Sequence, residues 1–426
     1  MTDMITKEDV IRRNPEAWQR LRDKVGGKVG DDVVNAFADF YTIYTPDVVE
    51  WYAGLFDREI GGFYYSNSAR DNEKVEFMGK EYLLLPDVES TAQAMHFWRS
   101  SGLCTGYERY ADALPTEMRN KIIEYVRGLQ DPDGYFYHPQ WGKDIGVSRR
   151  ARDLNWSMGI FRDLGGEPKY PTILNADSGK RDEKTLIPDH LSSPEKFKSY
   201  LEAMNFSEKS YHRGHELSSQ ASQIHALGLG DTVTEFLNAH QNPETGLWHN
   251  TADYYGVNGL MKISGVYCTV KRPIPNAMAA ANSAIDAIVS PERIDAVVDL
   301  GNTWAAVNRI VTNLRDFGGE EGAKQAEEIL DHMLKRAPEA LRCSKEKISE
   351  FGHPDGSFSY RRKYSNATSQ NMPVAIPQSE EGDVNGTMIS SMYLIGGLFF
   401  AFDLLDYKVL PFGKEERERY IAALNK

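Results

Sequence analysis

Gln241-Asn-Pro-Glu-Thr-Gly-Leu-Trp248 closes an amphipathic stretch with a polar turn, a glycine and, two positions later, an aromatic residue. The same order returns in Asp57-Arg-Glu-Ile-Gly-Gly-Phe63, Gln130-Asp-Pro-Asp-Gly-Tyr-Phe136 and His353-Pro-Asp-Gly-Ser-Phe358. Glycine supplies the positive φ that such turns need, and the aromatic can pin the turn to a core. Polar, aromatic loops lead on to helix starts, most of them Val-led: Asp87-Val-Glu-Ser-Thr91, Gly146-Val147, Gly256-Val-Asn-Gly-Leu260 and Asp383-Val-Asn-Gly-Thr387. A pattern that recurs at this scale marks a repeat architecture.

The key glycines Gly61, Gly134, Gly246 and Gly356 lie 73, 112 and 110 residues apart, and the two longer intervals suit two helical hairpins each. Apolar periodicity fills the gaps to twelve helices. Outer helices are expected near 47–57, 115–129, 193–203, 230–240, 275–289 and 320–337, and inner ones near 87–101, 147–164, 214–228, 256–266, 299–317 and 383–404. Met388 to Phe402 is apolar on every side, as an inner helix should be, and Gly396 and Gly397 would let neighbours approach closely. The expected fold is all-α: an (α/α)6 toroid of six helical hairpins spanning 46–426, with short β-hairpins at the Gly-x-Phe/Trp turns of one end. Residues 1–45 read as a helical extension, and 170–192 as a Pro- and charge-rich excursion.

A chain of 426 residues, 41% hydrophobic, can bury a large core without staples. Cys104, Cys268 and Cys343 are odd in number and lack C-x-x-C spacing, which argues against disulfides and structural zinc. The polar start of the chain does not resemble a secretory signal, and no window approaches the roughly 18 apolar residues of a membrane span. A cytoplasmic protein is expected. A net charge of −13 disfavours nucleic acid and anionic membranes as partners, yet leaves room for a basic pocket and an anionic small substrate. No phosphate loop, dinucleotide fingerprint or G-x-S-x-G elbow appears, so neither a cofactor nor a metal is expected.

Tyr125-Val-Arg-Gly-Leu-Gln-Asp-Pro-Asp-Gly-Tyr-Phe136 resembles the Gln-to-Trp repeat of squalene cyclases and prenyltransferases. Asp87-Val-Glu-Ser-Thr-Ala92 resembles the Asp-x-Asp-Asp-Thr-Ala motif of class II terpene cyclases, with Glu89 and Ser90 where that motif has aspartates. Gln241 to His249 is similar to a stretch of unsaturated glucuronyl hydrolases, and Asp57 to Tyr64 to one of the sugar 2-epimerases. Both pairs of families imply a toroid of paired helices.

In a toroid the glycine turns and the inner-helix starts would share one mouth, where helix N-termini favour anionic or hydroxyl-rich ligands. Asp87 and Asp383 read either as helix caps or, with Glu89, as a carboxylate set able to divide acid and base roles. Glu380-Glu381 reads as a solvated charge pair. Tyr211-His-Arg-Gly-His-Glu216, placed just ahead of an inner helix, offers His212 and His215 as an alternative proton-transfer pair and Arg213 as a carboxylate holder; a capping cluster is the rival reading. Arg149-Arg150-Ala-Arg152 opposes a helix dipole, which invites an anionic group or neighbouring acids. Tyr65, Trp141, Trp248, Tyr254 and Tyr360 supply flat faces with polar tips that suit sugars, although Phe63, Phe136, Trp248 and Phe358 also staple the turns. The expectation is a carbohydrate enzyme that cleaves a glycosidic bond, of hydrolase or lyase type, on a small or oligosaccharide substrate. The alternatives are a terpene cyclase or prenyltransferase-like enzyme and a non-catalytic binding toroid.

Overall fold

The computed structural model describes residues 5–72, 74–175, 183–401 and 404–425. It is mostly helical, with two small antiparallel sheets among the described residues. The chain opens with α1 (Lys7–Arg13), α2 (Pro15–Val25) and α3 (Gly27–Phe40). Next come α4 (Asp47–Gly54), the short α5 (Asn67–Asp71), strands β1 (Lys74–Phe77) and β2 (Lys80–Leu83), and α6 (Val88–Ser100). Then follow α7 (Tyr110–Ala113), α8 (Thr116–Gly128), α9 (Val147–Leu164), α10 (Pro194–Glu202), α11 (Phe206–Ala226) and α12 (Gly230–His240). The second half holds α13 (Tyr254–Val270), α14 (Ala277–Val289), α15 (Val297–Phe317), α16 (Gly319–Ser349), β3 (Thr368–Ser369) and β4 (Met372–Pro373). A final rod joins α17 (Val384–Thr387), a π-helical segment (Met388–Tyr393) and α18 (Leu394–Ala401), before α19 (Lys414–Leu424).

Six rods pack in a closed circuit. Helix α6 packs on α9, α9 on α11, α11 on α13, α13 on α15, α15 on the 384–401 rod, and that rod on α6. Outside them α8 packs on α9, α12 on α11, α14 on both α13 and α15, and α16 on α15 and α3. Helix α13 is enclosed near its start: Gly256, Val257, Asn258, Gly259, Leu260 and Met261 form one unbroken buried run.

The four repeated glycines explain how outer helices are spaced. All take positive φ, from 68° at Gly246 to 90° at Gly134. A Cβ on Gly61 would sit 2.5 Å from the Lys121 carbonyl oxygen of α8, and one on Gly246 would sit 2.3 Å from the Ala280 nitrogen of α14. One on Gly356 would sit 2.8 Å from the Val48 nitrogen of α4, so the last repeat docks on the first. The aromatics that follow, Phe63, Phe136, Trp248 and Phe358, are buried as expected. Gly246→Ala combines a left-handed φ with a backbone clash, and is expected to cost at least about 2 kcal/mol in urea unfolding.

Helix bounds match expectation within a few residues except at two places. Helix α11 begins at Phe206 rather than 214, with Asn205 as its cap and a kink at Lys209. Helix α16 runs on to Ser349, passing through Pro338, twelve residues beyond the expected end at 337. Regular β-structure is also displaced. The glycine turns carry single bridges, Phe56 with Phe63, Gln130 with Phe136 and Gly352 with Phe358, whereas the two-stranded sheets lie in the connections that follow. A Cβ on Gly397 would sit 3.5 Å from the Trp304 Cβ, but one on Gly396 would meet nothing within 4 Å, so only one of the pair serves close packing. Of the 170–192 excursion, residues 176–182 fall outside the described set. No helix among the described residues is long and apolar enough to cross a membrane.

Candidate functional site

Every rod of the circuit contributes to one cavity of about 430 Å³. At the end where the inner helices start, its lining includes Glu89, Arg152, Tyr211, His215, Tyr360 and Gln370; farther along come Trp156, Lys262, Asn302 and Arg309, and beyond them Arg99, Arg162 and Asp163. The helix starts are tied to the turns and loops there. Phe63 bridges Asp87, Ser66 bridges Asp383, and Ala296 bridges Arg361. The expected open mouth at this end is covered. The β3–β4 hairpin, turning through Gln370 and Asn371 with φ of 52° and 65°, lies across it. Its tip bonds Gln370 Oε1 to His215 Nε2 at 2.5 Å, and Ser369 Oγ to Glu89 Oε2 at 3.2 Å. The most exposed lining side chains, Arg99 at 42% and Arg162 at 74%, belong to the far end.

Beneath the hairpin lies a buried ion network. Asp87 caps α6, accepting from Glu89 N at 3.0 Å, Ser90 N at 3.1 Å and Ser90 Oγ at 2.5 Å. Arg149, fully buried, reaches Asp87 at 3.0 Å, Glu89 at 3.3 Å and Asp153 at 2.7 Å, and its guanidinium stacks 4.4 Å over the Trp141 ring. Arg152 closes the set on Glu89. Three carboxyls thus share two guanidiniums, and one proton balances the group. Burial pushes Asp153 up to about 7 against the pull of Arg149. Burial also opposes ionisation of Glu89, but Arg152 and Arg149 outweigh it and hold this carboxyl down at about 2. Since the folded value lies below the ordinary 4.5, Glu89 stabilises the fold above that pH and loses its contribution as pH falls toward 2. Stepped-pH urea titrations are expected to show wild type losing about 3 kcal/mol more than Glu89→Gln across that window.

His215 lines the cavity wall. Burial, then Lys262 and Arg152, hold its imidazole well below the usual 6.5, so it is neutral at physiological pH. With the Gln370 oxygen against it, Nε2 donates and Nδ1 keeps the lone pair. Tyr211 faces Tyr360 and Asn302, and burial keeps its phenol protonated. Lys262 lies 5.9 Å from the Tyr211 ring centre, and burial, with Arg152 and Arg309, brings its ammonium down to about 7.

Several residues singled out from sequence stand elsewhere. The 211–216 cluster lies inside α11, not ahead of it, so its members diverge around the helix. His215 lines the cavity, while exposed His212 bonds Tyr255 Oη at 2.6 Å; the two are not a proton-transfer pair. Arg213 is held by Glu216 at 2.7 Å outside the cavity. Asp87 and Asp383 are caps with every oxygen engaged. Asp383 accepts from Gly386 N at 2.7 Å and Tyr360 N at 2.7 Å, and burial against these donors leaves it at about 7, with the Tyr65 hydroxyl beside it. Arg149 and Trp141 are locked in the ion network, outside the lining. Trp248 donates to the Leu237 carbonyl at 2.8 Å and acts as a turn staple. The Tyr254 hydroxyl accepts from Lys347 Nζ at 2.6 Å, away from the cavity. Glu381 is no solvated charge: it accepts from Ser68 N at 2.8 Å and Ser365 Oγ at 3.0 Å, tying two loops together. Of the residues and clusters singled out from sequence, the fold brings Glu89, Arg152, Tyr211, His215 and Tyr360 to the cavity.

Tyr211, Lys262, Asn302, Arg309 and Gln370 went unassigned. Lys262 had a signal, because it is the lone charged residue in the 17 positions of α13. Among the described residues no group of three or more His, Cys, Asp or Glu side chains is placed to hold a metal ion. Comparison of the chain with protein-family models, curated proteins and solved structures returns no match.

Proposed function

We propose that the chain is a carbohydrate-active enzyme that breaks a glycosidic bond inside an (α/α)6 toroid, the closed circuit of inner rods forming the wall of its pocket. One observation carries this reading. The neutral imidazole of His215, the protonated phenols of Tyr211 and Tyr360, the ion-paired carboxylate of Glu89 and the amides of Gln93, Asn302 and Asn385 converge in one cavity with the indole of Trp156. Hydroxyl-rich substrates need such mixed donors and acceptors, with a flat apolar face for their C–H surfaces. An isoprenoid would need bare aromatics. No phenylalanine lines this cavity among the described residues, and five cationic side chains do.

The proton chemistry favours elimination over two-carboxylate hydrolysis. Hydrolysis of that kind needs two acids flanking one bond. Glu89 is held ionised at one end, and the other lining acid, Asp163, is bound by Arg99 and Arg162 at the opposite end. In an elimination His215 removes a proton from a sugar carbon, the C–O bond of the leaving unit breaks, and Tyr211 protonates the departing oxygen. Glu89, anchored by Arg152, offsets the imidazolium charge and accepts from sugar hydroxyls. A panel of neutral and acidic oligosaccharides, read by chromatography and by ultraviolet absorbance of a new double bond, tests this. Cleavage with an unsaturated product supports the reading; cleavage to saturated sugars replaces elimination with hydrolysis. An inert panel, together with tight binding of isoprenoid diphosphates, rejects it.

A further inference from the structure

The cavity wall is cationic in a chain whose net charge is −13: Arg99, Arg152, Arg162, Lys262 and Arg309 line it against Glu89 and Asp163. Arg152 is paired with Glu89, and Arg99 and Arg162 share Asp163. Lys262 and Arg309, on adjacent inner helices, have no acidic partner among the described residues. Arg309 is nevertheless held firmly. Its Nη1 donates to the Met261 carbonyl at 2.6 Å, and a Cβ on Gly265 would sit 2.5 Å from the same nitrogen, so glycine makes the room it occupies. That bond sets the guanidinium within one turn of Lys262 on α13. Both cations line the cavity, and the Arg309 charge disfavours the Lys262 ammonium. They gain when an anion arrives between them, because charge-assisted bonds replace that repulsion.

We propose that Lys262 and Arg309 form a subsite for an oxyanion carried by the substrate, a carboxylate or a phosphate on a sugar, so that the enzyme takes acidic rather than neutral carbohydrate. The identification of that anion as part of a sugar rests on the function proposed above; the subsite itself does not. A carboxylate seated there would also acidify the neighbouring C–H that His215 must deprotonate. Binding would be linked to protonation of Lys262. The charged and titratable groups around that ammonium are Arg152 of α9, Arg309 of α15, Glu89 of α6, and His215 and Tyr211 of α11. With the ammonium at about 7 in the free protein, affinity for the anion falls as pH rises above 7.

Calorimetric titration of the full chain with glucose, glucuronate, glucose 6-phosphate and inorganic phosphate, at matched ionic strength, tests the subsite. The acidic sugars are expected to bind at least about tenfold more tightly than glucose, from one or more charge-assisted bonds. Lys262→Met should erase that margin, and Lys262→Arg should keep part of it and remove the pH dependence. Melting temperatures of both variants serve as the folding check. If inorganic phosphate binds and is lost in Lys262→Met while no sugar binds, the subsite stands and the carbohydrate reading falls. If glucose binds as tightly as its acidic relatives and Lys262→Met changes nothing, the subsite is overturned while the carbohydrate reading stands. Absence of anion binding in a folded wild type also overturns the subsite.

Discussion

Arg149→Met is expected to destabilise the fold by about 3–5 kcal/mol, the cost of stripping the partner from buried charges. The guanidinium is fully buried and reaches Asp87, Glu89 and Asp153 at once, so its loss leaves three carboxyls with Arg152 alone. The deficit has a sign in pH. Without the cation, burial leaves Asp153 and Glu89 titrating higher than in wild type, so the deficit grows as pH rises and shrinks in mild acid. Guanidinium chloride unfolding at pH 5 and pH 8 checks this, and a variant equal to wild type at both would remove Arg149 as the keystone. Arg149→Lys carries the charge without the fork that reaches three acids, and should recover only part of the loss.

His215→Asn is expected to lower kcat by about 10²–10⁴, the usual worth of a positioned proton acceptor, with little change in melting temperature. Asparagine can keep a bond to Gln370 but cannot take the proton. The wild-type acid limb should lie well below pH 6.5, since burial and the neighbouring cations hold the imidazole neutral there. A base must be deprotonated to act, so activity is lost only as pH falls through that lowered value. A kcat/KM profile that broke at or above pH 6.5, or His215→Asn turning over at the wild-type rate, would assign the proton transfer to another group.

The parts of this molecule written locally were legible in its sequence. A glycine two residues before an aromatic, after a polar turn, encodes a φ sign and a staple together, and all four such sites behave alike. Helix α9, over Val147–Leu164, could be bounded from periodicity because its ends carry ordinary signals, with a left-handed Gly165 after it. What misled was a residue type whose reason lies in another helix. The start of α11 was expected near 214, eight residues too late, so the His/Arg cluster read as lying ahead of the helix. In the fold a Cβ on Gly214 would meet Ile263 Cγ1 at 3.1 Å, and one on Gly259 would meet Ser210 Oγ at 2.5 Å, so the glycines let α11 and α13 interlock. Once that helix is continuous, His212 and His215 must diverge. The cavity residues were missed for the related reason that Lys262 and Arg309 sit in the middle of apolar helices. There, distance from any turn hides their shared direction.

Gly159 offers the most direct test that the axial cavity is where the reaction occurs. It lines the cavity, and a Cβ there would meet nothing closer than Arg162 Nη2 at 3.9 Å, so a larger side chain can enter the void without displacing backbone. Gly159→Phe should retain wild-type secondary structure, since helix propensity favours phenylalanine over glycine, lose no more than roughly 1 kcal/mol to contact changes, and drop kcat/KM by at least about a hundredfold through lost substrate positioning. A folded Gly159→Phe that turns over substrate as wild type does would place the chemistry outside the ring of inner helices and contradict the account.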